Sequence, residues 1–333
     1  MKDIKEYLST PIEVTWDITR RCNLSCPFCL EDSTDANSLE EVSEETRQII
    51  LSEIVKCRPL IVNISGGEPF ILTQLEEYVS ALTKGGAAVI ITSNGMLITE
   101  ERAAKLAETG VRRVEVTVYP EVMDKSFKAI DILVKAGINV VPRAVFTRSM
   151  KDSLNDFLSL CVKAGLKKLV MQEVVPRGRG MNDFDTFTLS QVELEAVIKE
   201  VRLFKEKQSG FSVIFTSSTL ADCEADGAIA CVIPLERRKR CEIRPDGNVI
   251  PCYAAMVYGI ENNIIKKGLK QCWLDIAKLY TAALSQSIDK ACSSCLAKPG
   301  CPGGCPAEHE EFARRGEPSA SGHCRFYKAM EKR

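Results

Sequence analysis

From Pro11 to about residue 205 the chain alternates short β-branched apolar runs with longer amphipathic ones. The runs IEVTWDI (12–18), LIVNIS (60–65), AVIITS (88–93), RVEVTV (113–118), INVVPRAVF (138–146) and KKLVMQE (167–173) predict six strands. Their apolar character predicts burial on both faces. Between them, stretches such as SEETRQIILSEIVKC and SLNDFLSLCVKAG carry the spacing of helices with one buried face. The joints AETGVRRVEV, VKAGINVVP and VKAGLKKLV put Gly110, Gly137 and Gly165 where a helix must end in a left-handed residue. Their separations of 27 and 28 residues are those of a βα repeat. Six such units predict an α/β fold with a partial (β/α)6 TIM-like barrel of parallel strands. Chemistry in such folds sits beyond the C-terminal ends of the strands, and Cys22, Gly66, Asn94, Tyr119 and Arg177 fall there.

The pattern breaks near residue 208, which divides the chain into a barrel (1–207) and a linker with a small cysteine-rich domain (208–333). SGFSVIFTSS suggests one more strand and GLKQCWLDIAKLYTAAL one helix. The rest is too rich in Cys, Gly and Pro to build an ordinary core, so it needs a covalent or metallic staple.

Composition narrows the setting. Lys and Arg number 44 against 45 Asp and Glu, which gives no nucleic acid or anionic membrane a reason to bind. MKDIKEYLST has no apolar core of a signal peptide, and no apolar run reaches the roughly 18–20 residues that cross a bilayer. The expectation is a cytoplasmic protein. Fifteen cysteines in such a compartment point to metal or redox chemistry rather than to disulfides. Nine of them lie between 231 and 324.

Two motifs carry candidate chemistry in the barrel. TRRCNLSCPFCLED holds Cys22, Cys26 and Cys29 at C-x3-C-x2-C just after the first strand. Three thiolates leave a closed metal site one ligand short, and alone they suit half of a zinc site as well. NISGGEPF (63–70) follows the second strand, and its two glycines would bring backbone close to a ligand.

In this order the motifs resemble those of radical S-adenosylmethionine (SAM) enzymes. The resemblance implies that Cys22, Cys26 and Cys29 bind three irons of a 4Fe–4S cluster whose fourth iron is left to SAM. It implies that Gly66, Gly67, Glu68 and Pro69 meet the methionine amine, that Phe28 lies by the adenine, and that Asn94 and Arg143 contact the ribose and carboxylate. An electron from the cluster would then release a 5′-deoxyadenosyl radical that abstracts hydrogen from substrate.

The C-terminal cysteines resemble the SPASM domain, which binds two auxiliary 4Fe–4S clusters: G-x4-C at Gly247 and Cys252, then CSSCLAKPGCPGGC and Cys324. That resemblance assigns Cys292, Cys295, Cys301 and Cys324 to the outer cluster. Cys252 and Cys305 go to the inner one, joined by Cys231, Cys241 or both. Cys57, Cys161 and Cys272 read as buried inert thiols. Cys223 is the one loop cysteine available as a hydrogen donor, and His309 and His323 flank ligands. Arg177 and Arg179 in VVPRGRG would meet an anionic group or solvent. The loop after the fourth strand, YPEVMDKSFKAI, is shorter than the family's usual one, which leaves the mode of substrate holding open.

The implied function is a radical SAM/SPASM oxidoreductase acting on a peptide or protein side chain. The alternative is a sugar, aminocyclitol or nucleoside substrate. A flavodoxin or ferredoxin would supply electrons. With about ten residues before the first strand, either leader recognition falls to a separate protein or the substrate is small.

Overall fold

The computed structural model describes residues 9–35, 41–118, 122–208, 210–217, 229–230 and 239–286, with Arg314 and Gly316. Seven strands follow the barrel pattern: β1 (Glu13–Thr19), β2 (Ile61–Gly66), β3 (Ala88–Ser93), β4 (Arg113–Val118), β5 (Val140–Phe146), β6 (Lys168–Glu173) and β7 (Ser212–Ser217). Three more are β8 (Ile229–Ala230), β9 (Arg240–Ile243) and β10 (Val249–Ile250). The helices are α1 (Glu44–Cys57), α2 (Leu75–Lys84), α3 (Glu100–Glu108), α4 (Met123–Lys135), α5 (Leu154–Lys163), α6 (Phe184–Phe187), α7 (Gln191–Lys207) and α8 (Ile264–Gln286). One sheet runs β10-β9-β1-β2-β3-β4-β5-β6-β7-β8, and every pairing except β9–β10 is parallel. The fold is the expected α/β partial barrel.

Two features bear on the site. Burial covers both faces along parts of β3 to β6, where three successive residues are buried, and is partial at inner-face positions of β1 and β2. Val14, Trp16 and Ile18 are buried toward the helices, while Glu13 and Thr15 on the other face are half-buried. Asn63, Thr92, Glu115 and Arg143 share that inner face, joined by Thr92 Oγ1 to Asn63 Oδ1 at 3.2 Å and Arg143 Nη1 to Glu115 Oε2 at 2.7 Å. Stacked apolar layers fill a complete (β/α)8 barrel; this inner face mixes those polar groups with their register neighbours Ile90, Val141 and Val170.

Second, no sheet boundary falls at 208. β7 extends one edge and β9 pairs with β1 on the other, Val14 opposite Cys241 and Trp16 opposite Ile243. Edge strands carry unpaired backbone groups, and later segments cover both edges. α8 fixes the second docking against α1. It breaks at Gly268 (φ +75°), where a side chain would meet Glu53 Oε2 at 2.7 Å, and the same oxygen accepts the Leu269 N–H at 3.2 Å.

The helix layer packs as amphipathic spacing predicts. α2 buries Leu75, Tyr78, Val79 and Leu82. Tyr78 meets Trp16 edge to face at 5.6 Å between ring centroids. Each such side chain contributes roughly 1.5–3 kcal/mol through burial. Ser43 caps α1 by accepting the Thr46 N–H, and Ser190 and Glu193 form a reciprocal capping box on α7.

Candidate active site

Cys22, Cys26 and Cys29 lie on the loop leaving the C-terminal end of β1, all half-buried. Cys22 Sγ accepts the Leu24 N–H at 3.4 Å and lies 3.7 Å from Asn94 Nδ2. Burial pushes the Cys22 thiol up to about 11. Burial also raises the Cys29 thiol, opposed by the backbone N–H groups of Ser33 and Glu31 and by the Arg179 charge. Among the described residues no three Cys, His, Asp or Glu side chains converge on a single metal ion. Three half-buried thiols spread along one loop fit a cluster that takes each on a different iron, with backbone amides already turned to its sulfur ligands.

The GGEP turn stands against this loop for a reason the sequence did not reveal. A Cβ at Gly66 (φ +116°) would lie 2.5 Å from the Thr19 carbonyl oxygen, and one at Gly67 would overlap the Arg21 carbonyl. The glycines therefore let the β1 exit loop sit on the β2 turn. Gly67 N–H bonds Thr19 O and Glu68 N–H bonds Arg21 O, both at 2.8 Å. With those donors used, what the turn can offer a ligand is backbone carbonyl oxygen, and that of Glu68 already accepts the Ile71 N–H at 3.1 Å. Glu68, with no exposed surface, accepts from Phe70 N–H at 3.0 Å, Ser93 Oγ at 2.8 Å and Asn94 N–H at 2.7 Å. Burial raises its pKa against these three bonds. Pro69 starts the short 3-10 turn that follows. The Glu68 carboxylate is thus a joint between β2 and β3.

The remaining expected ligand contacts are also engaged within the protein. Asn94 donates from Nδ2 to Asn23 Oδ1 at 2.8 Å and accepts the Met96 N–H at 2.9 Å. Arg143 pairs with Glu115, which Arg113 also holds. The Phe28 ring is buried with Val174, Met181 and Phe184 and meets Phe187 at 5.9 Å, so it seats the cysteine loop on the β6 exit.

Two arginines that hold this loop escaped the sequence reading of their roles. Arg179 donates to Cys26 O at 2.9 Å, Asp32 Oδ1 at 2.7 Å and Ser33 O at 2.8 Å. The flanking glycines make its approach possible: a Cβ at Gly178 would stand 2.6 Å from Leu30 O. Arg244, after β9, grips Glu31 and Asp17 and covers the Tyr253 ring at 4.7 Å. Arg177 lies 5.9 Å from the same ring. The signals were the paired glycines of PRGRG and an arginine just before the turn PDG, both far from the cysteines in sequence.

Cys241 departs from its expected place. Its register with Val14 turns it to the helix side, wholly buried in the apolar core, with Cys57 of α1 and Cys272 of α8 as its thiol neighbours. Cys252 is half-buried at the far end of the β9–β10 hairpin. Tyr119, Cys223, Cys231, Cys292, Cys295, Cys301, Cys305, His309, His323 and Cys324 lie outside the described residues.

Residues 16–119 match the Radical SAM superfamily. Mycofactocin maturase MftC of Mycolicibacterium smegmatis is 28% identical over 92% of this chain and 81% of its own length. PqqA peptide cyclase of Methylocella silvestris is 23% identical over 93% and 86%. The crystal structure of Streptococcus suis SuiB bound to S-adenosylmethionine superposes with a TM-score of 0.72 at 17% identity, over 95% of this chain and 78% of that one. That of anSMEcpe with bound AdoMet and a peptide gives 0.70 at 16%, over 97% and 95%. No helix among the described residues is long and apolar enough to cross a membrane. A cysteine loop set on a GGEP turn at the mouth of a parallel partial barrel marks residues 16–119 as a radical SAM domain, in a chain similar almost end to end to these relatives.

Proposed function

We propose that this enzyme modifies a side chain of a ribosomally made peptide or protein by hydrogen abstraction, with an oxidised product. The observation that carries the reading is the cysteine loop and GGEP turn interlocked at the barrel mouth, in a chain that aligns along most of its length with a maturase and a peptide cyclase. SuiB, of the same fold, has been crystallised with its precursor peptide SuiA.

Cys22, Cys26 and Cys29 would hold the SAM-site cluster, and the carbonyls of Gly66, Gly67 and Glu68 would receive the methionine amine beside it. Asn94, fixed to Asn23 and to the Cys22 sulfur, and Arg143, fixed by Glu115, would line the path of the ribose and carboxylate. Phe28 would back the adenine. When loaded, cluster and SAM supply a 5′-deoxyadenosyl radical. The chain's own part is to hold substrate over the barrel mouth and keep water from it.

Beyond about residue 208 we assign a linker and an auxiliary-cluster domain, a site of two further 4Fe–4S clusters. Cys292, Cys295, Cys301 and Cys324 would hold the outer one, and Cys231, Cys252 and Cys305 the inner one. An inner cluster near the barrel mouth would accept the electron that an oxidative outcome releases. A cytoplasmic setting, a flavodoxin- or ferredoxin-type donor and a separate leader-binding protein belong to the same reading.

Anaerobically reconstituted enzyme should contain about twelve irons per chain, and the triple Cys22/Cys26/Cys29→Ala variant about eight. Reduced wild-type enzyme should cleave SAM to 5′-deoxyadenosine, and Cys26→Ala should not. Four irons in the wild type would overturn the auxiliary assignment, and wild-type cleavage by Cys26→Ala would overturn the SAM site.

A further inference from the structure

The two arginines on the cysteine loop are of one residue type in opposite electrostatic settings. Arg244 is 4% exposed and faces two carboxylates, Asp17 and Glu31, so its charge is more than matched. Arg179 is 18% exposed, and its one carboxylate partner among the described residues, Asp32, is 64% exposed. Water screens Asp32 far more than it screens a guanidinium packed beneath the loop. The other acceptors of Arg179, the carbonyls of Cys26 and Ser33, are neutral. Its own N–H bonds the Cys29 carbonyl at 3.0 Å. Arg179 therefore places a positive charge with little local compensation against the segment that carries two of the three thiols.

We propose that Arg179 is a positioning residue for the radical-generating cluster: its planar fork fixes the Cys26–Ser33 segment, and its charge sets how readily that cluster accepts an electron. The inference rests on the assignment of the cluster to Cys22, Cys26 and Cys29. Reduction adds one electron to a centre already ligated by thiolates, and a fixed cation beside it stabilises the reduced state. The fork explains why the cation is arginine: three donors satisfy three acceptors held at fixed angles, which a lysine ammonium on a flexible stem does less well. The loop is bent to suit it. Asp32 adopts φ +52°, so the chain doubles back and brings the Ser33 carbonyl to the same guanidinium as the Cys26 carbonyl.

The test is a potentiometric titration of the reduced holoenzyme, following the part of its electron paramagnetic resonance signal that responds to added SAM, with iron counted in each variant. Absence of any SAM-responsive signal in the wild type would contradict the cluster assignment itself, separately from the role of Arg179. Arg179→Gln should retain iron yet become about tenfold harder to reduce, a midpoint about 59 mV more negative. Arg179→Lys, which keeps the charge, should stay near the wild-type midpoint. Asp32→Asn, tolerated because asparagine accepts the left-handed conformation, should shift in the opposite direction or remain unchanged. An unchanged midpoint in Arg179→Gln, with only a lower melting temperature, would make Arg179 a structural staple and overturn the proposal. If Arg179→Gln loses the cluster, the lysine variant decides. Retention at the wild-type midpoint upholds the role of charge, and loss of the cluster in both variants refutes it.

Discussion

Arg244 holds Glu31 with both arms of its guanidinium, Nη1 to Oε1 at 2.7 Å and Nη2 to Oε2 at 2.6 Å, across 213 residues of sequence. Glu31 stands two residues past the last cysteine of the loop, so the hairpin of β9 and β10 is tied directly to the cluster-binding segment. Burial opposes the charge on Arg244, but Glu31 and Asp17 more than offset it and keep it protonated. Asp17 is raised well above the usual carboxylate range by its own burial and by Glu31. Arg244→Met would leave the buried Asp17 and the half-buried Glu31 facing each other. It should cost about 3–5 kcal/mol in denaturant unfolding of the anaerobic enzyme; a loss under about 1 kcal/mol would mean that the ion pair is not formed in solution.

Gly67→Ala should damage the cysteine loop before it affects SAM affinity. The new methyl group would overlap the Arg21 carbonyl, which is backbone and one residue from Cys22. The expected result is incomplete iron loading at the SAM site and a lower melting temperature. Full loading with weakened SAM binding alone would restore the view that this glycine clears space for the ligand.

Cys241→Ala should retain the full iron content, because its thiol belongs to the apolar layer with Cys57 and Cys272. Its cost should be about 0.5–3 kcal/mol of stability, the range of ordinary substitutions. Cys252→Ala should instead lose about four irons. A four-iron loss in Cys241→Ala would return this residue to the inner cluster.

The buried thiols predict a stability that falls at alkaline pH. Burial raises Cys161 to about 12 from an ordinary value of 9.0. Above pH 9 the unfolded chain releases this proton while the folded chain keeps it, so unfolding gains up to about 1.4 kcal/mol per pH unit until pH 12. Thermal melts at pH 8 and pH 10 should differ less for Cys161→Val than for wild type, and an equal difference would show that Cys161 ionises freely in the folded state.

Much of the fold was legible in the chain because its strands and helices are set by local pattern. The runs at 88–93 and 113–118 are β3 and β4 to the residue, and Gly110, Gly137 and Gly165 do adopt positive φ. The cysteine loop and the GGEP turn were legible for a related reason: each is a short segment whose residue types are dictated by chemistry within a few positions. What the sequence left open was which polar groups meet on the inner face of the strands. Apolar content alone does not say that Thr92 reaches Asn63 or that Arg143 reaches Glu115.

The tertiary structure decided whatever depends on partners far apart in sequence. Nothing near Gly67 announces that Arg21 lies against it, and nothing near Arg179 announces the carbonyl of Cys26, 153 residues earlier. Cys241 shows the same limit in reverse. Its place in RCEIRPDG suggested an additional cluster ligand, yet pairing of β9 with β1 sets it beside Val14 on the helix side. Side-chain direction in a strand alternates with each residue, so the face a cysteine presents is fixed by strand register rather than by motif spacing. Sequence determined which groups could do the chemistry, and the packing of segments 20 to 200 residues apart determined which of them face the site and what holds them there.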